Sequence, residues 1–356
     1  MNRTQRPPVE IGDKRVESGT NDIVNLAVTR LYTHTNIRIP IYVNHSRKEG
    51  PVLFVSAAVH GDEINGVETI RRLLKHRSLH RMRGTLIAIP IVNIFGFINH
   101  SRYLPDRRDL NRHFPGSDKG SLTSRLANLL MEEVVGKCTH GIDLHTGSNH
   151  RYNLPQIRAS LNDPETRRLA LAFGVPVVLD SDMRDGSMRQ AVHEMGIPML
   201  LYEGGEALRF NEAVIRSGLR GILAVMNAIG MIQRKKRSSK IQPGIAKSSV
   251  WVRARMSGIF YARVRLGDVV EKGEIIGKIS DPLDTTGIDV ISPASGVIIG
   301  LTNLPLTYSG DALVHIATYD KLEQVEDSIE AFIEESVPLD HDQIDISSAR
   351  NGIQSS

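Results

Sequence analysis

The feature that most constrains the fold is a regular alternation of apolar runs and helical patterns between about residues 37 and 232. Residues 52–59, "VLFVSAAV", form an apolar run of the length of a buried strand. Residues 62–76, "DEINGVETIRRLLKH", repeat apolar residues at helical spacing and predict a helix that begins at Asp62. Similar pairs follow, up to a long helix over residues 211–232. This alternation predicts an α/β domain with a mostly parallel sheet and helices on both faces.

The second half of the chain changes character at residues 233–249, "QRKKRSSKIQPGIAKSS", which are polar, basic and broken by Pro and Gly. We interpret this segment as a linker after an α/β domain of residues 1–232. Residues 250–318 contain short β-branched segments between glycines and predict a small all-β domain. Residues 319–356 begin with an acidic amphipathic pattern and end in a polar stretch, which predicts a helix followed by a disordered tail.

Composition indicates a soluble cytoplasmic protein. Of the 356 residues, 40% are hydrophobic and 24% charged, and no apolar run reaches the roughly 18 residues that a membrane helix needs. The N-terminal residues lack the apolar core of a secretory signal, and the single cysteine, Cys138, suits a packing role. The net charge is +4, but only 5% of residues are aromatic, so we expect neither nucleic acid nor membrane as a partner. Self-association into a homo-oligomer stays open.

Three side chains at predicted strand ends suit a metal site. His60 and Glu63 follow the apolar run of residues 52–59, and imidazole with carboxylate is a donor pair that zinc accepts. Roughly one pair with this spacing is expected by chance, so the match needs support from elsewhere. His145, in "DLHTG", ends another apparent strand. Two histidines and one glutamate would leave a fourth metal position open for water, as catalytic zinc sites do.

Two further segments carry polar chemistry. Residues 101–116, "SRYLPDRRDLNRHFPG", contain four arginines, whose planar guanidinium groups bind carboxylates in a bidentate way. Near a metal such a loop suits an anionic substrate, and the alternative is an ordinary solvated basic loop. Glu203 ends the apolar run in "LLYEGG". It either takes a proton from water at the metal or simply begins a loop.

Five motifs, in this order, resemble the succinylglutamate desuccinylase/aspartoacylase family of zinc amidohydrolases, which is related to the zinc carboxypeptidases. They are "HGDE", "NIFGF", "SRYLPDRRDLNRHFPG", "DLHTG" and "YEGG". The resemblance covers about residues 37–317. It implies a zinc carboxypeptidase-like α/β fold and one zinc ion per chain, held by His60, Glu63 and His145. It also implies that Asp109 orients His60 from the outer shell.

The same resemblance implies roles for five other residues. Glu203 would be the general base and later the proton donor, and Arg102 would polarise the carbonyl of the scissile amide. Asn111 and Arg112 would hold the α-carboxylate of the substrate. Arg189 is similar to a further carboxylate-binding arginine of the family. The implied activity is zinc-dependent hydrolysis of the amide bond of a small, anionic N-acyl amino acid by a metal-bound water.

Two other functions stay open: a zinc carboxypeptidase for short peptides with the same ligand set, and a non-catalytic binding protein on the same fold.

The C-terminal domain resembles a biotinyl/lipoyl-like barrel sandwich. A carrier domain needs a lysine at the tip of its central hairpin, and "DPLDTTGIDV" contains none. We therefore expect this domain to narrow access to the zinc cleft. Tyr308 is a candidate for the tyrosine with which the C-terminal domain of aspartoacylase reaches the substrate.

Overall fold

The computed structural model describes residues 6–181, 183–233, 241–283, 287–320 and 322–336. The helices are α1 (Asn65–Leu74), α2 (Ile94–Ile98), α3 (Leu122–Glu133), α4 (Pro164–Phe173), α5 (Met188–Glu194), α6 (Glu212–Ala228) and α7 (Glu323–Ser336). The strands before α6 are β1 (Val9–Ile11), β2 (Lys14–Val16), β3 (Thr20–Arg30), β4 (Asn36–His45), β5 (Val52–Ala57), β6 (Thr85–Ile89), β7 (His140–Gly147), β8 (Arg151–Ala159), β9 (Val177–Asp180) and β10 (Met199–Glu206). The strands after α6 are β11 (Gly244–Ala246), β12 (Ser248–Arg253), β13 (Gly258–Ala262), β14 (Val269–Val270), β15 (Ile275–Ser280), β16 (Gly287–Ile291), β17 (Gly296–Thr302), β18 (Leu306–Thr307) and β19 (Ala312–Thr318).

The main sheet is mixed, and the prediction of a mostly parallel sheet is wrong. Strands β6, β5, β7 and β10 are parallel and lie side by side in its centre. Antiparallel neighbours flank them, β4 next to β6 and β8 next to β10. Only residues 148–150 separate β7 from β8, and a parallel crossover needs a dozen residues or more. Because the connection is this short, β8 has to run antiparallel to β7.

Helices pack on both faces of this sheet, as predicted. Alternate residues of β5 enter two separate cores, because successive side chains of a strand point to opposite faces: Leu53 joins one and Phe54 the other. The first core takes buried residues from α1, α4 and α6, and the second from α2, α3 and α5. Cys138 is buried in the second core, where it packs as expected. Among the described residues, no helix has both the length and the apolar character to cross a membrane.

Helix α1 begins later than the sequence predicts. Its first residue is Asn65, and its N-cap is Ile64, so Asp62 is not a helix-start residue. Residues 60–63 instead form a turn in which the Glu63 amide donates to the His60 carbonyl at 3.1 Å. Because the helix starts only at Asn65, residues 60–63 remain a turn, and the side chains of this turn lie at the carboxyl end of β5.

The C-terminal strands are continuous with the main sheet, and the expected barrel sandwich stays a prediction. Strand β17 pairs with β8 of the α/β domain, so β17, β19 and β12 extend the main sheet. Strands β13, β15, β16 and β18 form a second sheet of four strands, and a buried apolar core includes residues of both sheets. The described residues from 241 to 318 are strands and loops, consistent with an all-β region.

The domain boundaries stay predictions. In the predicted linker, residues 234–240 lie outside the described residues, while β11 pairs with β9. Helix α7 appears where the acidic pattern predicts it. The expected disordered tail, residues 340–356, and residues 284–286 of the carrier-type hairpin lie outside the described residues.

Candidate metal centre

A tight turn after β5 brings the first two predicted ligands together. His60 Nδ1 lies 2.7 Å from Glu63 Oε1, and both side chains are buried. Between them, Gly61 packs directly on α2, where an added Cβ would lie only 2.0 Å from the carbonyl carbon of Gly96. No other residue fits that contact without moving the backbone. The glycine in "HGDE", Gly61, therefore allows the turn to pack against α2.

The third predicted ligand arrives on the neighbouring parallel strand. His145 lies near the carboxyl end of β7, and its Nδ1 is 2.8 Å from Glu63 Oε2. One ligand atom from each of His60, Glu63 and His145 can be chosen so that all lie within 4.8 Å of one another. Carboxyl ends of parallel strands meet at one edge of a sheet, which is where such sites form. The cluster is a candidate metal site at the position that the sequence predicts.

Carboxylates behind both histidines fix their orientation. His60 Nε2 lies 3.1 Å from Asp109 Oδ1, and His145 Nε2 lies 2.6 Å from Asp143 Oδ2. Each imidazole thus turns Nδ1 towards the cluster and its other nitrogen towards a carboxylate, an arrangement typical of metal-binding histidines. Asp109 was expected from the sequence, whereas Asp143 was not. Asp143 stands two residues before His145 on one strand, so the two share a face, and that spacing could have revealed it.

The electrostatics of the cluster suit a divalent cation. Burial lowers the pKa of His60, but the charge of Glu63 and the hydrogen bond with Asp109 outweigh burial and raise the pKa above its ordinary value. The pKa of His145 is raised in the same way by Asp143 and Glu63. Burial raises the pKa of Glu63, but His60 and His145 lower it by more than burial raises it. The pKa therefore lies below its ordinary value, and the carboxyl stays ionised. A bound dication would satisfy this negative field in place of protons.

Arg102 contacts both Asp109, the carboxylate behind His60, and the ligand cluster. Its Nη2 donates to Asp109 Oδ2 at 2.9 Å, while Nη1 lies 3.1 Å from His60 Nδ1 and 3.3 Å from Glu63 Oε1. The ion pair with Asp109 holds the guanidinium at the rim of the candidate metal position. Burial lowers the pKa of Arg102, but the charges of Glu63 and Asp109 outweigh burial and raise the pKa. The guanidinium of Arg102 is therefore charged.

The predicted carboxylate clamp follows Asp109 in one short turn. Asp109 Oδ1 accepts from the Asn111 amide at 2.9 Å, and Asn111 Oδ1 accepts from the Met188 amide at the start of α5 at 2.9 Å. Asn111 therefore ties this turn to α5. Asn111 and Arg112 both line the same cavity as the ligand cluster.

Glu203 lies beside the cluster, on the strand next to His145. The two residues are direct partners in the β10–β7 pairing. Asn153 Nδ2 donates to Glu203 Oε2 at 2.6 Å, and Arg158 Nη2 lies 3.5 Å from the same oxygen. Both partners come from β8, a strand that the sequence pattern does not predict, so neither partner was expected.

All these groups open onto one cavity of about 510 Å³. Of the predicted site residues, eight line it: His60, Glu63, Arg102, Asn111, Arg112, His145, Arg189 and Glu203. Asp109 lies behind them, in contact with His60 and Arg102. The C-terminal strands contribute Trp251, Arg253 and Ala312 to the lining. Tyr308 is not a lining residue and is 78% exposed, so the structure does not place it at the site.

The fold and the site define an α/β protein with a buried two-histidine, one-glutamate centre at the edge of its parallel strands. The sequence model of the succinylglutamate desuccinylase/aspartoacylase catalytic domain matches residues 49–229, and the chain belongs to this family. Its relatives include the N-alpha-acetyl-L-2,4-diaminobutyric acid deacetylase of Halomonas elongata. That protein is 26% identical over 256 residues, which are 69% of this chain and 75% of the relative.

Solved structures support the same fold. The ectoine utilization protein EutE of Ruegeria pomeroyi, solved with product bound, superposes with a TM-score of 0.79 at 22% identity, covering 88% of this chain and 99% of that one. A succinylglutamate desuccinylase/aspartoacylase of Rhodobacter sphaeroides gives a TM-score of 0.76 at 26% identity, covering 85% and 95%. Together with family membership, the deacetylase relative supports an amide-hydrolysing enzyme.

Proposed function

We propose that this protein is a zinc-dependent deacylase that hydrolyses the amide bond of a small N-acyl amino acid. The observation that carries the proposal is the meeting of the His60–Glu63–His145 cluster, Arg102 and Glu203 in one cavity. A metal site, a cation and a carboxylate base outside the ligand set are the parts that hydrolysis of an unactivated amide requires.

The donor set fits zinc. His60, Glu63 and His145 would hold the ion through two imidazole nitrogens and a carboxylate, with outer carboxylates on both imidazoles. When bound, zinc supplies Lewis acidity, which activates water and polarises a carbonyl oxygen near neutral pH.

The arginines and Asn111 would bind and orient the substrate. Asn111 and Arg112 lie together in the turn after Asp109 and would hold the α-carboxylate by charge-assisted hydrogen bonds. Arg102, fixed by Asp109, would donate to the carbonyl oxygen of the amide. Negative charge develops on that oxygen as the carbonyl carbon becomes tetrahedral, so a preorganised cation there lowers the barrier.

Glu203 would transfer the protons. As a base it takes a proton from the attacking water, whose oxygen forms a bond to the carbonyl carbon. As an acid it then gives that proton to the amide nitrogen while the carbon–nitrogen bond breaks. One water is consumed, and a carboxylic acid and a free amino acid are released. The hydrogen bond from Asn153 would keep the carboxylate pointed at the water.

The size of the cavity favours a small substrate over a peptide. Trp251 and Arg253 of the C-terminal strands form part of the wall, which limits the room for a long chain. The relative from Halomonas elongata is named for a substrate of this size, an acetylated amino acid. For this chain we propose a small anionic N-acyl compound as the partner, with no nucleic acid or membrane. We also propose a cytoplasmic location, and self-association stays open.

A substrate panel with a metal analysis tests this function. Zinc-loaded protein should release amino groups from N-acetyl or N-succinyl amino acids and leave dipeptides largely intact. Glu203→Gln should retain zinc, measured by atomic absorption, and lose hydrolysis by about a hundredfold or more. The matched control Glu330→Gln removes an exposed carboxylate of α7 and should change neither. Turnover of dipeptides alone, or failure of the wild type to bind zinc, would overturn the proposal.

A further inference from the structure

Glu206 is a buried carboxylate to which the proposed reaction gives no part. It ends β10, three residues after Glu203, and its exposed fraction is 7%. Within the described part of the chain, the ion pair of Glu206 is with Arg209, whose Nε lies 3.6 Å from Oε2 and whose side chain is 72% exposed. Water screens such a pair, so it contributes little. Hydrogen bonds must therefore stabilise this buried charge.

Two separate parts of the chain supply those hydrogen bonds. The His150 amide donates to Glu206 Oε1 at 3.0 Å, and Asn303 Nδ2 donates to Glu206 Oε2 at 2.8 Å. His150 belongs to the turn of residues 148–150 between β7 and β8, whereas Asn303 directly follows β17. The carboxylate of Glu206 therefore joins this turn to the C-terminal strands.

The turn has a backbone conformation that needs such support. His150 lies at φ +61°, where residues other than glycine seldom occur and where the backbone is strained. Its carbonyl accepts from the Asn303 amide at 2.6 Å and from Thr302 Oγ1 at 3.3 Å. Together with the bond to Glu206, these contacts occupy both backbone polar groups of His150. A strained conformation persists only where surrounding contacts impose it, and here Glu206 and Asn303 impose it.

The same contacts close a ring that contains the proposed base. Strand β10 connects Glu203 to Glu206, whose carboxylate binds Asn303. Asn303 follows β17, and Gly300 of that strand pairs with Asn153 of β8. Asn153 Nδ2 in turn donates to Glu203 Oε2 at 2.6 Å. The position of Glu203 thus depends on both sides of the ring, one along its own strand and one through β17 and β8.

A β-bulge lies inside this ring. Glu203 pairs with His145 and Glu206 pairs with Gly147, so β10 has one more residue than β7 over this interval. Gly205, at φ +77°, lies within the bulge. Bulges re-aim neighbouring side chains, so their effect depends on how the strand is held on either side. Pairing with β7 holds the strand at Glu203, and the two hydrogen bonds to its carboxylate hold the strand at Glu206.

We propose that Glu206 is a positioning residue for the proposed base. Its hydrogen bonds with His150 and Asn303 hold the end of β10, and the bulge then directs the Glu203 carboxylate towards the candidate metal position. Glu206 itself does not touch the substrate. The inference rests on the proposed deacylase function for the role of Glu203, whereas the contacts of Glu206 can be tested without that function.

Trp251 can report on the turn that Glu206 holds. Arg151 directly follows the turn, and its guanidinium carbon lies 5.5 Å from the centre of the Trp251 ring. The ring also stacks on His315, with centroids 4.2 Å apart and planes at 7°. Trp251 is the one tryptophan in the sequence, so the tryptophan fluorescence comes from this position alone. A displaced turn should move Arg151 off the ring and let water reach it.

Glu206→Ala tests the effect on catalysis. The zinc-loaded variant should hydrolyse N-acetyl and N-succinyl amino acids with a kcat lower by about ten- to hundredfold, because the base is displaced from its productive position. KM and zinc content should stay close to those of the wild type, since the metal ligands and the residues proposed to bind substrate are unchanged. The matched control Glu330→Ala removes an exposed carboxylate of α7 and should change none of these values.

An exchange of the two side chains tests the contact itself. Asn303→Asp sets two carboxylates against each other and should lower kcat, with zinc content unchanged. Adding Glu206→Gln restores the hydrogen bond in the opposite sense, because the new amide can donate to the new carboxylate. The double variant should therefore recover most of kcat, whereas two unrelated defects would add. Thermal melting of each variant verifies that it is folded.

Fluorescence of Trp251 in metal-free protein separates this inference from the function itself. In Glu206→Ala and in Asn303→Asp, the emission should shift to longer wavelength and acrylamide should quench it more strongly, and the double variant should restore both values. If the wild type hydrolyses none of the compounds but this pattern holds, the deacylase function fails and the anchoring role of Glu206 stands. Wild-type emission in Glu206→Ala, wild-type kcat in that variant of an active enzyme, or a double variant no better than Asn303→Asp would overturn the inference.

Discussion

Asn153 donates its side-chain amide to Glu203 Oε2 at 2.6 Å. The two residues sit on antiparallel strands whose register shifts between Glu203 and Gly205, and the shift places Asn153 against the carboxylate. Gly300 of β17 lies on the far side, where an added Cβ would be 3.0 Å from Asn153 Oδ1. A strand of the C-terminal region therefore backs the residue that orients the proposed base.

The first prediction concerns this orientation. Asn153→Ala should lower kcat about tenfold, with zinc content unchanged, because Glu203 loses the donor that aims it. Asn153→Asp keeps the size of the side chain but replaces the amide donor with a repelling carboxylate, so kcat should fall at least as far as in Asn153→Ala, again with zinc content unchanged. A kcat like that of the wild type in both variants would show that residue 153 does not orient the base.

A second prediction concerns the carboxylate behind His145. Asp143 Oδ2 lies 2.6 Å from His145 Nε2, and Ser56 Oγ donates to its other oxygen at 2.7 Å. Asp143→Asn should weaken zinc binding about ten- to hundredfold, since the neutral amide holds the imidazole less firmly. Competition with a chelating dye measures the affinity. The exposed Asp118→Asn serves as the control and should bind zinc like the wild type.

Metal should also stabilise the fold. Chelator-treated protein should gain about 2.7 kcal/mol of unfolding free energy at free zinc a hundred times its dissociation constant. Differential scanning fluorimetry would record this as a rise in Tm. Glu63→Gln, which alters the ligand shared by both histidines, should abolish the rise. If that variant gains as much Tm as the wild type, the metal binds elsewhere.

A fourth prediction concerns acid stability and lies away from the site. The hydrogen bond from Arg71, followed by one from Arg72, lowers the pKa of Glu68 from 4.5 to about 2. The unfolded chain thus binds the proton more readily, so the stabilisation is complete above about pH 4.5 and is lost as the pH falls towards 2. Glu68→Gln should cost about 1 kcal/mol at pH 7 and much less at pH 2.5. Urea unfolding at both pH values measures the difference, and equal costs would contradict it.

The candidate metal ligands could be predicted from the sequence. His60 follows an apolar run of the length of a buried strand and His145 lies near the end of another predicted strand, and the carboxyl ends of parallel strands meet at one edge of a sheet. Local pattern and this topological rule made His60, Glu63 and His145 candidates, and the resemblance to the family was needed to join them into one predicted zinc site. The helices on both faces followed from the same alternation, because each strand is buried on two sides.

Only the tertiary structure decided the wall opposite those ligands. Strand β8 carries Asn153, Arg158 and the central Pro155, and its polar residues break the alternation by which a strand is recognised. Its place between β10 and β17 is set by pairing with residues far away in the chain, which no local pattern encodes. Through β8 the C-terminal strands extend the main sheet, and Trp251, Arg253 and Ala312 of those strands therefore form part of the cavity wall.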